Sequence, residues 1–284
     1  MTTVRLRCAI DSAATLLAEA GIDSARYDAE ELAAHLAGTE RGRLALLSTP
    51  DDGFFDRYRA AIAERSRRVP LQHLTGAAAF GPLTLTVGPG VFIPRPETEA
   101  MLEWATAQRL PDAPLIVDLC TGSGALALGL ARQWPDARVI GIDDSDAALE
   151  YARTNAKGTT VELLKADVTA PGVLSQLDGQ VDLLVSNPPY VPDGAELDPE
   201  VLDHDPSRAV FGGPDGMTVI IAIVQLAQRV LSPGGLFAVE HDDTTSALTA
   251  ELISGTAGFE NVVRRQDLTR RPRFVTARRS GGTA

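Results

Sequence analysis

Val181-Asp182-Leu183-Leu184-Val185-Ser186-Asn187-Pro188-Pro189-Tyr190-Val191-Pro192 reads as an apolar run that ends in a rigid turn. Val181 to Val185 is short, apolar and β-branched at both ends, which predicts a buried strand of a parallel sheet. Pro188 and Pro189 then remove amide donors and fix φ, and Asn187, placed before a proline, is held extended. A stiff tetrapeptide, Asn187-Pro188-Pro189-Tyr190, therefore projects from the carboxyl end of a strand, where open α/β sheets bind ligands. Asn187 offers a carbonyl acceptor and two N–H donors, the proline carbonyls add acceptors, and Tyr190 adds a flat face with a hydroxyl. Convergent acceptors beside an aromatic face suit a planar –NH2 group, an amide or the exocyclic amine of a base. A proline pair alone equally describes a plain strand exit. The surroundings decide.

Upstream, strand Leu115–Leu119 precedes a helix over Ala125–Gln133, and strand Arg138–Ile142 precedes one over Asp146–Asn155. Strand Val161–Leu164 comes next. After the tetrapeptide follow a helix from Met217 to Leu231, a Ser232-Pro233-Gly234-Gly235 stop, strand Leu236–Glu240 and a helix over Thr245–Ser254. Two late strands, near Val262 and at Phe274–Ala277, have only a short connection and predict an antiparallel hairpin. Strands alternating with helices give an α/β fold with a doubly wound, mostly parallel sheet, here of seven strands.

The amino-terminal part differs. Val4 to Ala20 reads as a helix closed by Gly21. Ser24 is placed to cap a second helix through Ala37, ended by Gly38. Phe54 to Arg68 forms a third, with Phe54, Phe55, Tyr58 and Ile62 on one stripe and Arg57, Arg65, Arg67 and Arg68 largely off it. This small helical domain carries no catalytic constellation and reads as an orienting or partner-binding element. Ala77–Phe80 and Leu83–Val87 flank Gly81-Pro82 as a β-hairpin. The expected division is residues 1–75 as a helical docking domain, 76–95 as the hairpin linker and 96–284 as the α/β domain. Beyond the hairpin, Arg95 is locked between Pro94 and Pro96, which aims its guanidinium at a carboxylate. Glu97 and Glu99 suit the helix amino end that Pro96 opens.

Asp118-Leu119-Cys120-Thr121-Gly122-Ser123-Gly124 lies at the first strand-to-helix junction. Gly122 and Gly124 allow close backbone approach of a ligand, and the helix amino end can hydrogen-bond an anionic group. Asp143, about twenty residues on, can take both hydroxyls of a ribose. The glycine spacing also fits a dinucleotide site, and by itself is weak. Two acids favour S-adenosylmethionine: Asp118 can brace the loop and attract a cationic end, and Asp167 after the third strand can accept from an adenine amino group.

Composition narrows the class further. A net charge of −12 over 284 residues argues against a broad basic nucleic-acid surface. Cys8 and Cys120 are too few for a disulfide framework, and His35, His73, His204 and His241 lack metal-ligand spacing. No metal is expected. No apolar run reaches membrane-spanning length, and a soluble, cytoplasmic setting is expected.

With these residues assembled, the chain resembles the class I methyltransferases and, more narrowly, the release-factor glutamine N5-methyltransferases. The resemblance runs through Pro70-Leu71-Gln72-His73-Leu74-Thr75-Gly76, Ile93-Pro94-Arg95-Pro96-Glu97-Thr98-Glu99, Thr121-Gly122-Ser123-Gly124 and Asn187-Pro188-Pro189-Tyr190. It continues in Phe211-Gly212-Gly213-Pro214-Asp215-Gly216 and in Asp267-Leu268 with Arg271-Pro272-Arg273. It implies S-adenosylmethionine as methyl donor and, as substrate, the glutamine of a Gly-Gly-Gln loop in class I peptide-release factors. Cys120, Thr121, Gly122, Ser123, Gly124, Asp143, Asp167 and Val168 would bind the cofactor. Asn187 would touch cofactor and substrate, and Pro188, Pro189 and Tyr190 would line the glutamine pocket. Asn187 and Pro188 would act in catalysis. The family usually has glycine at the position of Cys120, where a negative φ would accommodate the change, and commonly an aromatic at that of Val168. Two other readings remain open: an adenine N6-methyltransferase on nucleic acid, with a basic tail from Arg264 to Arg279, and a non-catalytic binding protein of the same fold.

Overall fold

The computed structural model describes residues 2–47 and 53–281. They form two compact units, one of residues up to Ala77 together with Leu197–His204, the other of Ala78–Glu196 and the chain from Asp205 onward.

The first unit is helical, with helices Thr2–Glu19, Ala25–Leu36 and Phe54–Ser66 around Leu17, Ala29, Leu32, Phe54 and Tyr58. Gly21 and Gly38 end the first two helices at φ of 74° and 63°, the left-handed stop that glycine permits. Ser24 stands just before the second helix and yet makes no side-chain capping bond, because its backbone (φ −87°, ψ 18°) is not extended. The apolar stripe of the third helix is buried, as its spacing predicts. Arg65 is not off that stripe, however. It is 5% exposed; its Nε donates to Asp28 Oδ2 at 2.6 Å and its Nη1 to Glu200 Oε2 at 2.6 Å. A buried guanidinium needs such partners, and these fasten the short helix Pro199–His204 into this unit.

The expected hairpin, β1 (Ala77–Phe80) and β2 (Leu83–Thr86), lies in the second unit from Ala78 onward. Seven further strands form one sheet: β3 (Leu115–Leu119), β4 (Arg138–Asp143), β5 (Glu162–Lys165), β6 (Val181–Ser186), β7 (Leu231–Glu240), β8 (Phe259–Gln266) and β9 (Pro272–Arg279). Their spatial order is β5-β4-β3-β6-β7-β9-β8. The first five run parallel, and β9 pairs antiparallel with both β7 and β8, the terminal hairpin foreseen from the short connection.

Side-chain alternation builds two cores, one on each face. Ile116, Val139, Leu183 and Val185 meet Met101, Leu102, Leu126 and Leu130 on one side. Val117, Ile142, Leu184 and Phe237 meet Ile220, Ile223, Val224 and Ile253 on the other. Each such buried side chain contributes roughly 1.5–3 kcal/mol. Ser232-Pro233-Gly234-Gly235, expected as a stop between helix and strand, lies inside β7. Val181 pairs with Leu231 and Leu183 with Leu236, so residues 232–235 form a bulge.

The strand order reverses between β3 and β6. Leu119 and Ser186 pair there, and the Ser186 hydroxyl donates to the Leu119 carbonyl at 2.8 Å. The loops that leave these two strands therefore emerge side by side at the switch point of the sheet.

Candidate active site

The loop after β3 is held from below. Thr121 N donates to Ile142 O at 2.9 Å, and the Thr121 hydroxyl donates to Asp118 Oδ2 at 2.6 Å. Gly124 starts helix Ala125–Gln133 at φ 87° and has no side chain to cap it. Asp118 takes over that task from the strand, its Oδ2 accepting from Ala127 N at 3.1 Å. Asp118 is 1% exposed, and burial pushes its carboxyl up to about 7 despite those two donors. Its other oxygen, Oδ1, and the buried hydroxyl of Ser123 find no partner among the described residues. Cys120 does not have the negative φ that would accommodate it. It sits at +58°, a backbone that favours glycine. Burial also pushes its thiol up, so it stays protonated.

Asp143 closes β4 beside this loop. Its Oδ2 accepts from Gly122 N and its Oδ1 from Ser145 N, both at 2.9 Å, while burial raises its carboxyl above the usual range. Asp167 is exposed, and the Thr169 hydroxyl and N–H hold it below its ordinary value. Val168, next to it, is buried.

Across the switch point the tetrapeptide is braced on two sides. Asn187 Nδ2 donates to Thr98 Oγ1 at 3.0 Å, Thr98 Oγ1 donates to Glu240 Oε2 at 2.8 Å, and the Tyr190 hydroxyl donates to Glu240 Oε1 at 2.9 Å. Glu240 ends β7, is 1% exposed, and is pushed up to about 7 by burial. On the other side Val191 N donates to Val210 O and Gly212 N to Val191 O. The contact is tight. A Cβ on Gly212 would lie 2.5 Å from Pro189 O, which gives the Phe211–Gly216 motif a steric reason for its glycines.

Between the two loops lies a cleft of about 400 Å³. Cys120, Thr121, Gly122 and Ser123 line it on the β3 side, with Asp143, Asp167 and Val168 beyond them and Asn187 and Pro189 opposite. Gly124, Pro188 and Tyr190 are not among its lining residues. Arg95, over the ring of Phe92, reaches the carboxylate its two prolines predict, Asp205 Oδ2 at 2.5 Å. Thr98 and Glu240 were not foreseen as site residues. Thr98 was hidden between two acids that a helix amino end explains, and Glu240 read only as the end of a strand. A charged residue closing the apolar run Leu236–Val239 at the ligand end of the sheet was the available signal.

Residues 9–76 match the PrmC N-terminal domain family and residues 89–204 the methyltransferase small domain family. The release factor glutamine methyltransferase of Mycobacterium tuberculosis (strain H37Rv) is 68% identical over 280 residues, spanning 97% of this chain and 92% of its own. That of Mycobacterium leprae is 66% identical, spanning 97% of each. The chain belongs to the release factor glutamine methyltransferase family. At greater distance, that of Streptomyces coelicolor is 47% identical over 269 residues, 93% of this chain and 94% of its own. A methyltransferase from Pyrococcus furiosus, at 19% identity, has the same fold, with a TM-score of 0.54 over 78% of this chain and all of its own.

The chain is therefore an S-adenosylmethionine-dependent enzyme of the class I methyltransferase fold. The cleft has the size of a cofactor pocket, and the chemistry at one end matches: the unpartnered buried Oδ1 of Asp118 suits an ammonium group. Among the described residues, no helix is long and apolar enough to cross a membrane.

Proposed function

We propose that this enzyme transfers the methyl group of S-adenosylmethionine to the side-chain amide nitrogen of the glutamine in the Gly-Gly-Gln loop of class I peptide-release factors. The observation that carries the reading is the orientation of Asn187. Its Nδ2 is taken by Thr98, so its Oδ1 is the atom left to accept from a substrate amide. In this reading Asp118 Oδ1 holds the cofactor's ammonium group, Cys120 to Gly124 lie along its body, Asp143 meets the ribose, and Asp167 and Val168 meet the adenine. S-adenosylmethionine supplies a methyl on a sulfonium, a good electrophile, so the protein has mainly to position and polarise.

An amide nitrogen is a poor nucleophile because its lone pair is delocalised into the carbonyl. The Asn187 Oδ1 and the Pro188 carbonyl accept its two hydrogens and turn the nitrogen into line, and both bonds strengthen as that nitrogen becomes positive. No strong base has to act beforehand, since the nitrogen's acidity rises steeply once it carries the methyl. Pro189 and Tyr190 complete the glutamine pocket, and the amino-terminal helical unit serves to dock the release factor.

Nucleic acid is not the expected partner. The Arg264–Arg279 tail, the concentration of positive charge that would serve that reading, is largely committed within β8 and β9. Arg264 donates to Ser246 Oγ, Arg265 to Thr276 Oγ1, Arg273 to Asp267 Oδ2, and Arg278 and Arg279 to the carbonyls of Gly234 and Gly258. A cytoplasmic setting fits two cysteines that are both unpaired. Tritium transfer from labelled cofactor tests the reading. Label should enter a purified release factor and not its Gln→Ala loop variant or duplex DNA. Label in DNA, or in neither, would overturn it.

A further inference from the structure

We propose that Glu240, acting through Thr98, is the positioning residue that fixes the Asn187 amide in the one orientation able to accept the substrate's hydrogens. The proposal rests on the glutamine reading above. Its basis is a count of donors and acceptors along one chain of bonds. An ionised carboxylate only accepts. Thr98 has a single hydroxyl hydrogen, and at 2.8 Å from Glu240 Oε2 that hydrogen is directed at Glu240. Toward Asn187, Thr98 Oγ1 then offers lone pairs alone, so at 3.0 Å the side chain of Asn187 must present Nδ2 to it. The opposite end of the amide, Oδ1, is thereby turned away from Thr98.

Removal of the charge on Glu240 removes this directionality. A neutral side chain at 240 can itself donate to Thr98 Oγ1. The threonine hydroxyl is then free to donate to Asn187 Oδ1, which turns the amide half a revolution and presents N–H groups to a substrate N–H. The same carboxylate also receives the Tyr190 hydroxyl through Oε1, so both ends of the tetrapeptide are tied to one residue of the neighbouring strand. The charged and titratable groups acting on Glu240 are Tyr190 from the turn after β6, Arg273 from β9 and Glu97 from the turn before helix Glu99–Thr106, with His241 next in the chain. Burial keeps Glu240 near 7, so its ionisation changes within an accessible pH range.

The test uses the full-length enzyme with a release factor as acceptor, and compares Thr98→Val, Thr98→Ser and Glu240→Gln. Thr98→Val and Glu240→Gln should lower kcat about tenfold or more while the Kd for the cofactor moves less than about threefold. Thr98→Ser, which keeps the hydroxyl, should restore most of the loss. The log of wild-type kcat should fall with decreasing pH below about 7, and that limb should be absent in Glu240→Gln. A second readout needs no acceptor. In enzyme labelled with 15N at asparagine, the side-chain amide signal lost in Asn187→Ala should show slowed proton exchange in the wild type and fast exchange in Thr98→Val. Wild-type kcat in the folded valine and glutamine variants, a loss that serine does not rescue, or unchanged amide exchange overturns the proposal. Failure of the wild type to label any release factor would instead overturn the substrate reading, and the exchange measurement would still decide the role of Thr98.

Discussion

Asp118 and Glu240 occupy equivalent places in two strands and do different work. Each stands at or near the carboxyl end of its strand, each is 1% exposed, and burial pushes each carboxyl up to about 7. Asp118 takes two donors on one oxygen and none on the other. Glu240 takes one hydroxyl on each. The electrostatic cost of burial is therefore similar, and what separates a ligand-facing acid from an internal brace is the acceptor capacity left over. One loop keeps an unused acceptor on a residue that lines the cleft, and the other uses its carboxylate to aim a neutral amide.

The largest expected effect comes from cutting the second arrangement at its far end. Asn187→Ala removes the acceptor that strengthens as the substrate nitrogen gains charge, and should lower kcat by about 10²- to 10³-fold. It leaves Asp118 and its loop untouched, so cofactor Kd by titration should move only a few-fold. A kcat within a few-fold of the wild type would erase the distinction between the two loops.

Asp118→Asn probes the other side. Loss of the charge should weaken cofactor binding by about ten- to a hundredfold. The same change should make the ligand-free chain more stable, in a pH-dependent way. The folded pKa of Asp118 is raised, so between the unfolded value of 3.8 and about 7 the folded state binds more protons than the unfolded one. Stability from this group then falls as pH rises through that window and is level above it. The advantage of Asp118→Asn in denaturant melts should accordingly grow from pH 4 to 7 and then stop growing. An advantage independent of pH would mean that Asp118 is not held neutral by burial.

Both loops were legible in the sequence because each is written in consecutive residues: glycines at a strand exit, and two prolines after an apolar run. The seven strands were legible for the same reason, with errors of a residue or so at most ends. What escaped was non-local. Thr98 and Glu240 lie 142 positions apart, and nothing in the neighbourhood of either announces the other. The burial of Arg65 is not legible either, because a helical stripe reports one face only, whereas its partners Asp28 and Glu200 come from elsewhere in the chain. The short helices Leu71–Thr75, Pro199–His204 and Ser207–Val210 are too brief to show a periodicity.

Glycines sharpen the contrast between the loops. A Cβ on Gly212 would meet Pro189 O at 2.5 Å and Gly216 O at 2.8 Å, so Gly212→Ala must push the tetrapeptide's own backbone. A loss of about 1–3 kcal/mol is expected, with kcat falling alongside. Gly122 has open space around it and a φ of 57°. Gly122→Ala should therefore cost the ligand-free fold only the left-handed backbone, about 1–2 kcal/mol. It should weaken cofactor binding because Gly122 lines the cleft, with Asn187 still in place and kcat at saturating cofactor little changed. If the two variants lose kcat equally, shape at the tetrapeptide is not the reason for Gly212.

The smallest effect is expected at Cys120, where the left-handed backbone carries a side chain. At φ of +58° a cysteine bears a strain of about 1–2 kcal/mol. Cys120→Gly relieves it, at the cost of a more flexible unfolded chain and of the packing of the half-buried thiol against the core on that face. The balance favours the variant by about 0.5–1 kcal/mol, read as a rise in the denaturation midpoint of the ligand-free chain. Burial holds the thiol protonated, so alkylation of the native enzyme should modify exposed Cys8 well before Cys120. A glycine variant that melts earlier than the wild type would show that side-chain packing, and not backbone strain, governs position 120. The β3 loop would then resemble its neighbour, held in shape by contacts as well as by glycine.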